Sequence, residues 1–217
     1  MNMDIKIISF DIGGTLIGEH NNLYNLNNLS DLLKLPYENV RKVYKDIFQK
    51  TKGELNALIN IFSAKLGIEP TEELKKFFEN KFRNSENSTI SDNTIALLKK
   101  IKEKGYKVIL FSNSCSLIKN DIIDNIKYLV DDIFYSYDIG YTKNEDKSYR
   151  IIESKMNALP NEFLHIGDNL KSDYLMPIKN GWNALLYGKQ QNNVKTIQNL
   201  NEILDILNMN HCQKIKK

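Results

Sequence analysis

Two kinds of hydrophobic pattern divide the chain. The first is the short, apolar-rich run without clean alternation: IKIISF at 5–10, YKVILFS at 106–112, FLHIG at 163–167 and NALLY at 183–187, with DIFYS at 132–136 as a further candidate. Runs of this kind are strands buried on both faces of a parallel sheet. The second pattern places apolar residues three or four apart, as on one face of a helix. It fills residues 25–84 as LSDLLKL, PYENVRKVYKDIFQK, ELNALINIFSAKLG and TEELKKFFENKF, punctuated by Pro36, Gly53, Gly67 and Pro70. Val40, Val43, Tyr44, Ile47 and Phe48 form one buried stripe, and Leu74, Phe77, Phe78 and Phe82 another.

After a polar joint at 85–92, helical spacing and strand runs alternate. Ile95, Leu98 and Ile101 predict a helix with Asp92 as N-cap and Gly105 as its stop. Leu117, Ile118, Ile122 and Ile126 predict a helix after the strand at 106–112. Further helices are expected near 147–158 and 172–180, and a last one carries Ile197, Leu200, Ile203, Leu204 and Leu207. Strands alternating with helices mean βαβ units and an α/β fold with a mostly parallel sheet. The helical block interrupts that alternation directly after the first strand. We therefore expect a core made of residues 1–16 and 89–217, with an α-helical cap, 17–88, inserted into it.

Composition narrows the partners. The 217 residues suit a large domain with an insertion. The formal net charge is +3, with lysines and glutamates interspersed, so no nucleic-acid partner is expected. Lys214, Lys216 and Lys217 read as a solvated tail. Cys115 and Cys212 form no CxxC pair and no disulfide framework, and Cys115 reads as a small buried residue near a strand end. No apolar stretch reaches membrane-spanning length, and MNMDIKIISF lacks the features of a signal peptide. The expected setting is cytoplasmic, with no membrane partner.

The chemistry concentrates at strand ends. The first strand stops at Asp11 and enters DIGGTL, where Gly13 and Gly14 permit a tight turn. The strand at 163–167 stops at Asp168, with Asp173 five positions on in GDNLKSD. Carboxyl ends of parallel strands converge on the ligand crevice. Acids meeting there can hold a divalent cation, and one can attack phosphorus. Each also has a plainer structural reading: Asp11 capping its turn, Asp173 N-capping the helix that follows. Ser112 and Asn113 end a strand where hydroxyl and N–H groups can bind phosphoryl oxygens, or they form an ordinary turn. Lys143, in GYTK, is a compact counter-charge for a phosphoryl group or one of many solvated lysines. His165 reads as a hydrogen-bonded core residue, Trp182 as packing for the last strand, and His211 as a tail residue.

Taken in order, DIGGTL, SNS, GYTK and GDNLKSD, each tied to its strand, resemble the four motifs of the haloacid dehalogenase superfamily. The resemblance spans the chain, and the block at 17–88 looks like the small helical cap of its phosphoglycolate-phosphatase-like members. It implies a Rossmann-like core, Mg²⁺, Asp11 as nucleophile, and a small phosphorylated metabolite as substrate. It further implies Gly14, Thr15, Ser112, Asn113 and Lys143 around the phosphoryl group. Asp11, Asp168, Asp173 and the main-chain carbonyl of Gly13 would surround the metal. Tyr149, six residues past Lys143, matches the aromatic that usually follows the third motif.

One position departs from the pattern. Phosphatases of this superfamily usually carry a second aspartate two residues after the nucleophile, where this chain has Gly13. That acid protonates the leaving group and activates water, and general acid–base help is worth roughly 10²–10⁴ in rate. Glu19 or His20, in the loop after the first strand, is a candidate stand-in, though a solvated loop histidine is the plainer reading. Three alternatives follow: a binding or regulatory protein that has lost turnover, a phosphonate hydrolase with Lys50 or Lys52 as an imine-forming lysine, and a metal-free carbon–halogen hydrolase. The acidic GDNLKSD loop ranks the last of these low. Tyr44, Phe48 and Lys52 belong to the cap, where packing accounts for the aromatics and solvent for the lysine.

Overall fold

The computed structural model describes residues 4–18, 25–83, 89–118 and 121–215. Six strands form one sheet in the order β3-β2-β1-β4-β5-β6, every pair parallel. They are β1 (Ile7–Phe10), β2 (Lys107–Ser112), β3 (Asp132–Tyr135), β4 (Phe163–Gly167), β5 (Asn183–Tyr187) and β6 (Thr196–Ile197). The chain builds outward from β1 to β3 on one side, then returns to place β4 on the other. The switch in winding therefore falls between β1 and β4, where open α/β sheets form their ligand crevice.

Burial explains why the strand runs show no alternation. All four residues of β1 are buried, as are all five of β4. Ile8, Phe10, Val108, Leu110, Leu164 and Ile166 face one apolar cluster, with α5 (Asp92–Glu103) and α10 (Glu202–Ile215) packed on it. Ile7, Ile109, Phe111 and Phe163 face the other, against Tyr149, Ile152 and Trp182. The Trp182 ring stacks on Phe163 with centroids 4.1 Å apart, and its indole N–H donates to Glu153 at 2.8 Å. That packing is the role the sequence suggested.

Between β1 and α5 run four helices: α1 (Leu26–Leu33), α2 (Tyr37–Phe48), α3 (Leu55–Leu66) and α4 (Glu72–Arg83). Asn25 caps α1 by accepting from Asn28 N at 3.0 Å, and Gly67, at φ 69°, ends α3 in the left-handed region. Their apolar stripes meet in a cluster built on Val40, Tyr44, Phe48, Phe62, Leu74, Phe78 and Phe82. Cys115, from the loop after β2, is buried in the same cluster, and burial pushes its thiol up to about 11. Two ion pairs tie this helical segment to the sheet side, Lys50 with Glu145 at 3.0 Å and Lys52 with Asp138. Lys52 is exposed, as expected, and also pairs across the joint.

The remaining elements are α6 (Asp121–Asp124), α7 (Ser136–Ile139), α8 (Asp146–Met156) and α9 (Met176–Lys179). Four of the expectations change here. The cap of α5 is Ser91, whose Oγ accepts from Thr94 N at 3.2 Å, and Asp92 is its first residue. The helix expected over 117–126 shrinks to α6 and a 3₁₀ turn at Lys127–Leu129. Its apolar residues serve two cores: Leu117 and Ile118 turn to the helical segment, while Ile123, Ile126 and Leu129 turn to the sheet, so no single helix axis satisfies both. Ile197 lies in β6 and not in the last helix, because its backbone pairs with Tyr187. A π-helical turn, Leu170–Leu175, precedes α9 and is capped by Asn169, so Asp173 is not an N-cap. Among the described residues no helix is long and apolar enough to cross a membrane.

Candidate active site

The carboxyl ends of the paired strands β1 and β4 lead into Asp11 and Asp168; the register Phe10↔Ile166 carries Asp11 alongside Gly167, one residue before Asp168. Asp173 joins them from the π-helical turn. One carboxylate oxygen from each of the three lies within 4.8 Å of the other two. Lys143 enters from the loop before α8, and its Nζ is 2.6 Å from Asp11 Oδ1 and 2.6 Å from Asp173 Oδ1. The nucleophile candidate, the acidic loop and the lysine are thus brought together from segments far apart in the chain.

Several contacts hold the lysine there. Its main-chain N–H donates to Asn113 Oδ1 at 2.8 Å, and Tyr149 donates its hydroxyl proton to the Lys143 carbonyl at 2.9 Å. Asn113, expected against substrate, thus spends its amide oxygen on the Lys143 loop, and the aromatic at 149 anchors the same loop. The ammonium also lies over the Phe111 ring, 5.7 Å from its centroid. Ser112 ends β2 with a hydroxyl that makes no hydrogen bond among the described residues. Thr15 Oγ1, in the turn after Asp11, is buried without a hydrogen-bond partner among the described residues. A buried hydroxyl in that state is open to a ligand atom or an ordered water.

Two glycines permit the close approach. Gly14 has φ 74°, and a side chain there would collide with the Asp168 carboxylate. A Cβ on Gly167 would sit 2.5 Å from Asp173 Cγ. Gly13 differs from both, since a Cβ built there would have nothing within 4 Å among the described residues. Those residues leave the place of the expected second acid open. Glu19 and His20, the two candidates to replace it, lie outside the described residues.

A polar chain behind the carboxylates was only half visible in the sequence. Ser9 and His165 are register partners in β1 and β4, and Ser9 Oγ is 2.8 Å from His165 Nδ1. The other ring nitrogen, Nε2, is 3.2 Å from Asp173 Oδ1. Asp173 Oδ2 accepts from Asn169 N at 3.0 Å. A carboxylate only accepts, so Nε2 carries the proton, and Nδ1 of the neutral ring accepts from Ser9. Burial lowers the His165 pKa, and Asp173 offsets it only in part, which agrees with a neutral ring. The available signal was two polar residues at facing positions of adjacent, otherwise apolar strands.

The electrostatics follow from burial. It pulls the Lys143 ammonium down, but Asp11 and Asp173 outweigh it and leave the pKa above its ordinary value. It pushes Asp173 up, but Lys143 and His165 leave that carboxyl below its usual range. Asp11 stays above the ordinary carboxylate value, because burial, reinforced by Asp173, exceeds the pull of Lys143. Three carboxylates thus gather at one end of the sheet, with Lys143 paired to two of them. An all-oxygen set of this kind suits a hard divalent cation such as Mg²⁺.

A family model for haloacid dehalogenase-like hydrolases matches residues 5–181. The chain belongs to that family of hydrolases. No curated protein matches it significantly. Several solved structures of the family share the fold. A predicted phosphoglycolate phosphatase from Haemophilus somnus 129PT superposes with TM-score 0.62 at 20% identity, covering 94% of this chain and 98% of that one. A 2-haloacid dehalogenase from Pseudomonas syringae pv. tomato DC3000 gives 0.63 at 17% identity, covering 94% and 99%. A family enzyme from Bacteroides thetaiotaomicron, in complex with magnesium and inorganic phosphate, gives 0.60 at 16% identity, covering 87% and 98%. The family therefore holds both phosphate-binding and dehalogenating relatives of this hydrolase on one fold, and the choice between them rests on the site.

Proposed function

We propose that this haloacid dehalogenase-like hydrolase is a Mg²⁺-dependent phosphatase for a small phosphorylated metabolite, with Asp11 as nucleophile and residues 17–88 as a cap over the crevice. One observation carries the reading: Lys143 Nζ stands 2.6 Å from both Asp11 and Asp173, within a cluster of three carboxylates at the switch point of the sheet. A metal-free carbon–halogen hydrolase has no use for so much negative charge. The phosphonate alternative is weakened at both candidate lysines. Lys52 pairs with Asp138, and Lys50 pairs with Asp46 and Glu145. Burial lowers the Lys50 pKa, but those carboxylates hold it above the ordinary value, the wrong direction for an amine that must lose its proton to form an imine.

In this mechanism an Asp11 carboxylate oxygen forms a bond to phosphorus as the bond to the leaving oxygen breaks. The leaving oxygen keeps that electron pair and takes a proton from water, because residue 13 has none to give. Water then attacks the phosphorus of the Asp11 acyl phosphate, the phosphorus–Asp11 bond breaks, and phosphate and the free carboxylate are released with a proton lost to solvent. Thr15 and Ser112 supply hydroxyls to the phosphoryl oxygens, and Lys143 balances their charge. When bound, Mg²⁺ would be held by Asp11, Asp168, Asp173 and the Gly13 carbonyl, and would neutralise charge on the phosphoryl group. Without a positioned acid, acyl phosphates and aryl esters are turned over faster than alkyl esters.

The test is Mg²⁺-dependent phosphate release from an aryl or acyl phosphate. Wild-type turnover should fall by on the order of 10⁴-fold or more in Asp11→Asn, the scale of removing a nucleophile. The open space beside Gly13 favours one competing reading, a binding protein without turnover. Absence of release from both proteins, with phosphate analogues still bound, would select that reading.

A further inference from the structure

Ser9 and His165 interrupt an otherwise apolar layer. Ile7, Ile109, Phe111 and Phe163 line that face of the sheet, and both polar side chains are fully buried. Buried polar groups persist where they are bonded, and Ser9 Oγ meets His165 Nδ1 at 2.8 Å. Replacing both partners of such a bond by apolar groups of the same shape is close to neutral, so stability alone gives no reason for the pair. The reason lies at the far edge of the ring.

There His165 Nε2 donates to Asp173 Oδ1 at 3.2 Å, and Lys143 Nζ donates to the same oxygen at 2.6 Å. The Asn169 N–H holds Oδ2 at 3.0 Å. Lys143 continues to Asp11 Oδ1, also at 2.6 Å. The contacts form a circuit. It leaves β1 at Ser9, crosses His165, Asp173 and Lys143, and returns at Asp11, two residues along the same segment. An imidazole turned half a revolution about its Cβ–Cγ bond would present carbon to both Ser9 and Asp173. The rings of Phe111 and Trp182, with centroids 6.0 and 6.4 Å away, offer no hydrogen bond that separates the two orientations. Ser9 and Asp173 do separate them, one at each edge of the ring.

We propose that Ser9 is a positioning residue: by binding Nδ1 it fixes the His165 ring, and through the ring it aims the Asp173 carboxylate at Lys143 and the cation site. Ser9 itself touches neither substrate nor metal. It holds the carboxylates in place before the cation arrives, so that Mg²⁺ does not have to order them. The cation part of the inference rests on the phosphatase reading, and the orientation of the ring does not.

The experiment compares wild type, Ser9→Ala and Ser9→Thr by ¹⁵N–¹H NMR of the histidine side chains without metal, then by Mg²⁺ calorimetry. His165→Gln identifies the His165 signals among the 3 histidines. Both Ser9 variants keep the imidazole, so lost ring packing cannot account for a change. Wild type should carry its proton on Nε2, deshielded by the carboxylate. In Ser9→Ala that signal should move upfield or broaden by exchange, and Mg²⁺ affinity should fall about tenfold, the lower end for a group behind a metal ligand. Ser9→Thr, which keeps the hydroxyl, should restore both. A proton on Nδ1 in wild type would overturn the proposal, as would a Ser9→Ala protein in which either the Nε2–H signal or the Mg²⁺ affinity matches wild type. If wild type binds no Mg²⁺ at all, the phosphatase reading fails, while the NMR comparison still decides whether Ser9 orients the ring.

Discussion

Phe48, Phe62 and Phe78 in the helical segment are as buried as Lys143, Asp173 and His165 beside the sheet. The first group is held by stacking and apolar burial, with Phe48 and Phe78 centroids 4.5 Å apart. The second is a network of charges, with ion pairs at 2.6 Å and a histidine bridging to Ser9. Apolar burial favours folding by itself. Buried charge does not, because desolvation takes back most of what pairing supplies. The helical segment therefore stabilises this hydrolase through apolar burial, whereas the charged cluster, closely paired as it is, adds little net stability for its depth.

The sharpest way to break that contrast is to add a charge where the cluster has room for one. Gly13→Asp places a carboxyl in open space, and it should raise alkyl phosphate hydrolysis by roughly 10²–10⁴ with little change in melting temperature. No rise, with the fold intact by circular dichroism, would show that the missing acid is not what limits turnover. The opposite experiment empties the apolar interior. Phe78→Ala should cost about 3–5 kcal/mol in urea unfolding, while kcat per folded molecule stays near wild type. A fall in kcat beyond the unfolded fraction would mean the two interiors are not separable.

A smaller effect tests how the charged network is aimed. His165→Gln keeps a donor near Asp173, whereas His165→Asn keeps only the contact to Ser9. Mg²⁺ affinity should fall about 10–100-fold in the Asn variant and much less in the Gln variant. Equal losses by calorimetry would reduce His165 to a packing residue.

The smallest effect lies at the joint between the two regions. Lys50→Met should cost less than about 1 kcal/mol, since the pair is partly exposed. Burial raises the Glu145 pKa, but the Thr142 N–H and Lys50 leave it below its ordinary 4.5. The stability it adds is therefore present above 4.5 and is lost as the pH falls through the lowered value. The wild-type advantage over Lys50→Met should accordingly shrink on acidification, and an unchanged gap would remove Glu145 from the account.

Much of this was legible along the chain. The strand runs at 106–112, 163–167 and 183–187 and the helical spacing at 36–50 and 71–82 became strands and helices within a residue or two. Asp11 and Asp168 could be read as candidate site residues because the carboxyl ends of neighbouring parallel strands bring their last residues together wherever the strands sit in the sheet. These features depend on local periodicity and on the chemistry of single residues. Sequence carries both directly.

Other features depend on which segments become neighbours, and only the folded chain decided those. The facing of Ser9 and His165 is a matter of strand register, and periodicity within either strand does not specify it. Residues 117–129 read as one amphipathic helix until two separate cores divide their side chains. Ile197 keeps a helical spacing yet is drawn into β6 by backbone pairing. Lys50 and Glu145 are unremarkable among many charged residues until the end of α2 is brought to the Lys143 loop, where the two pair at 3.0 Å.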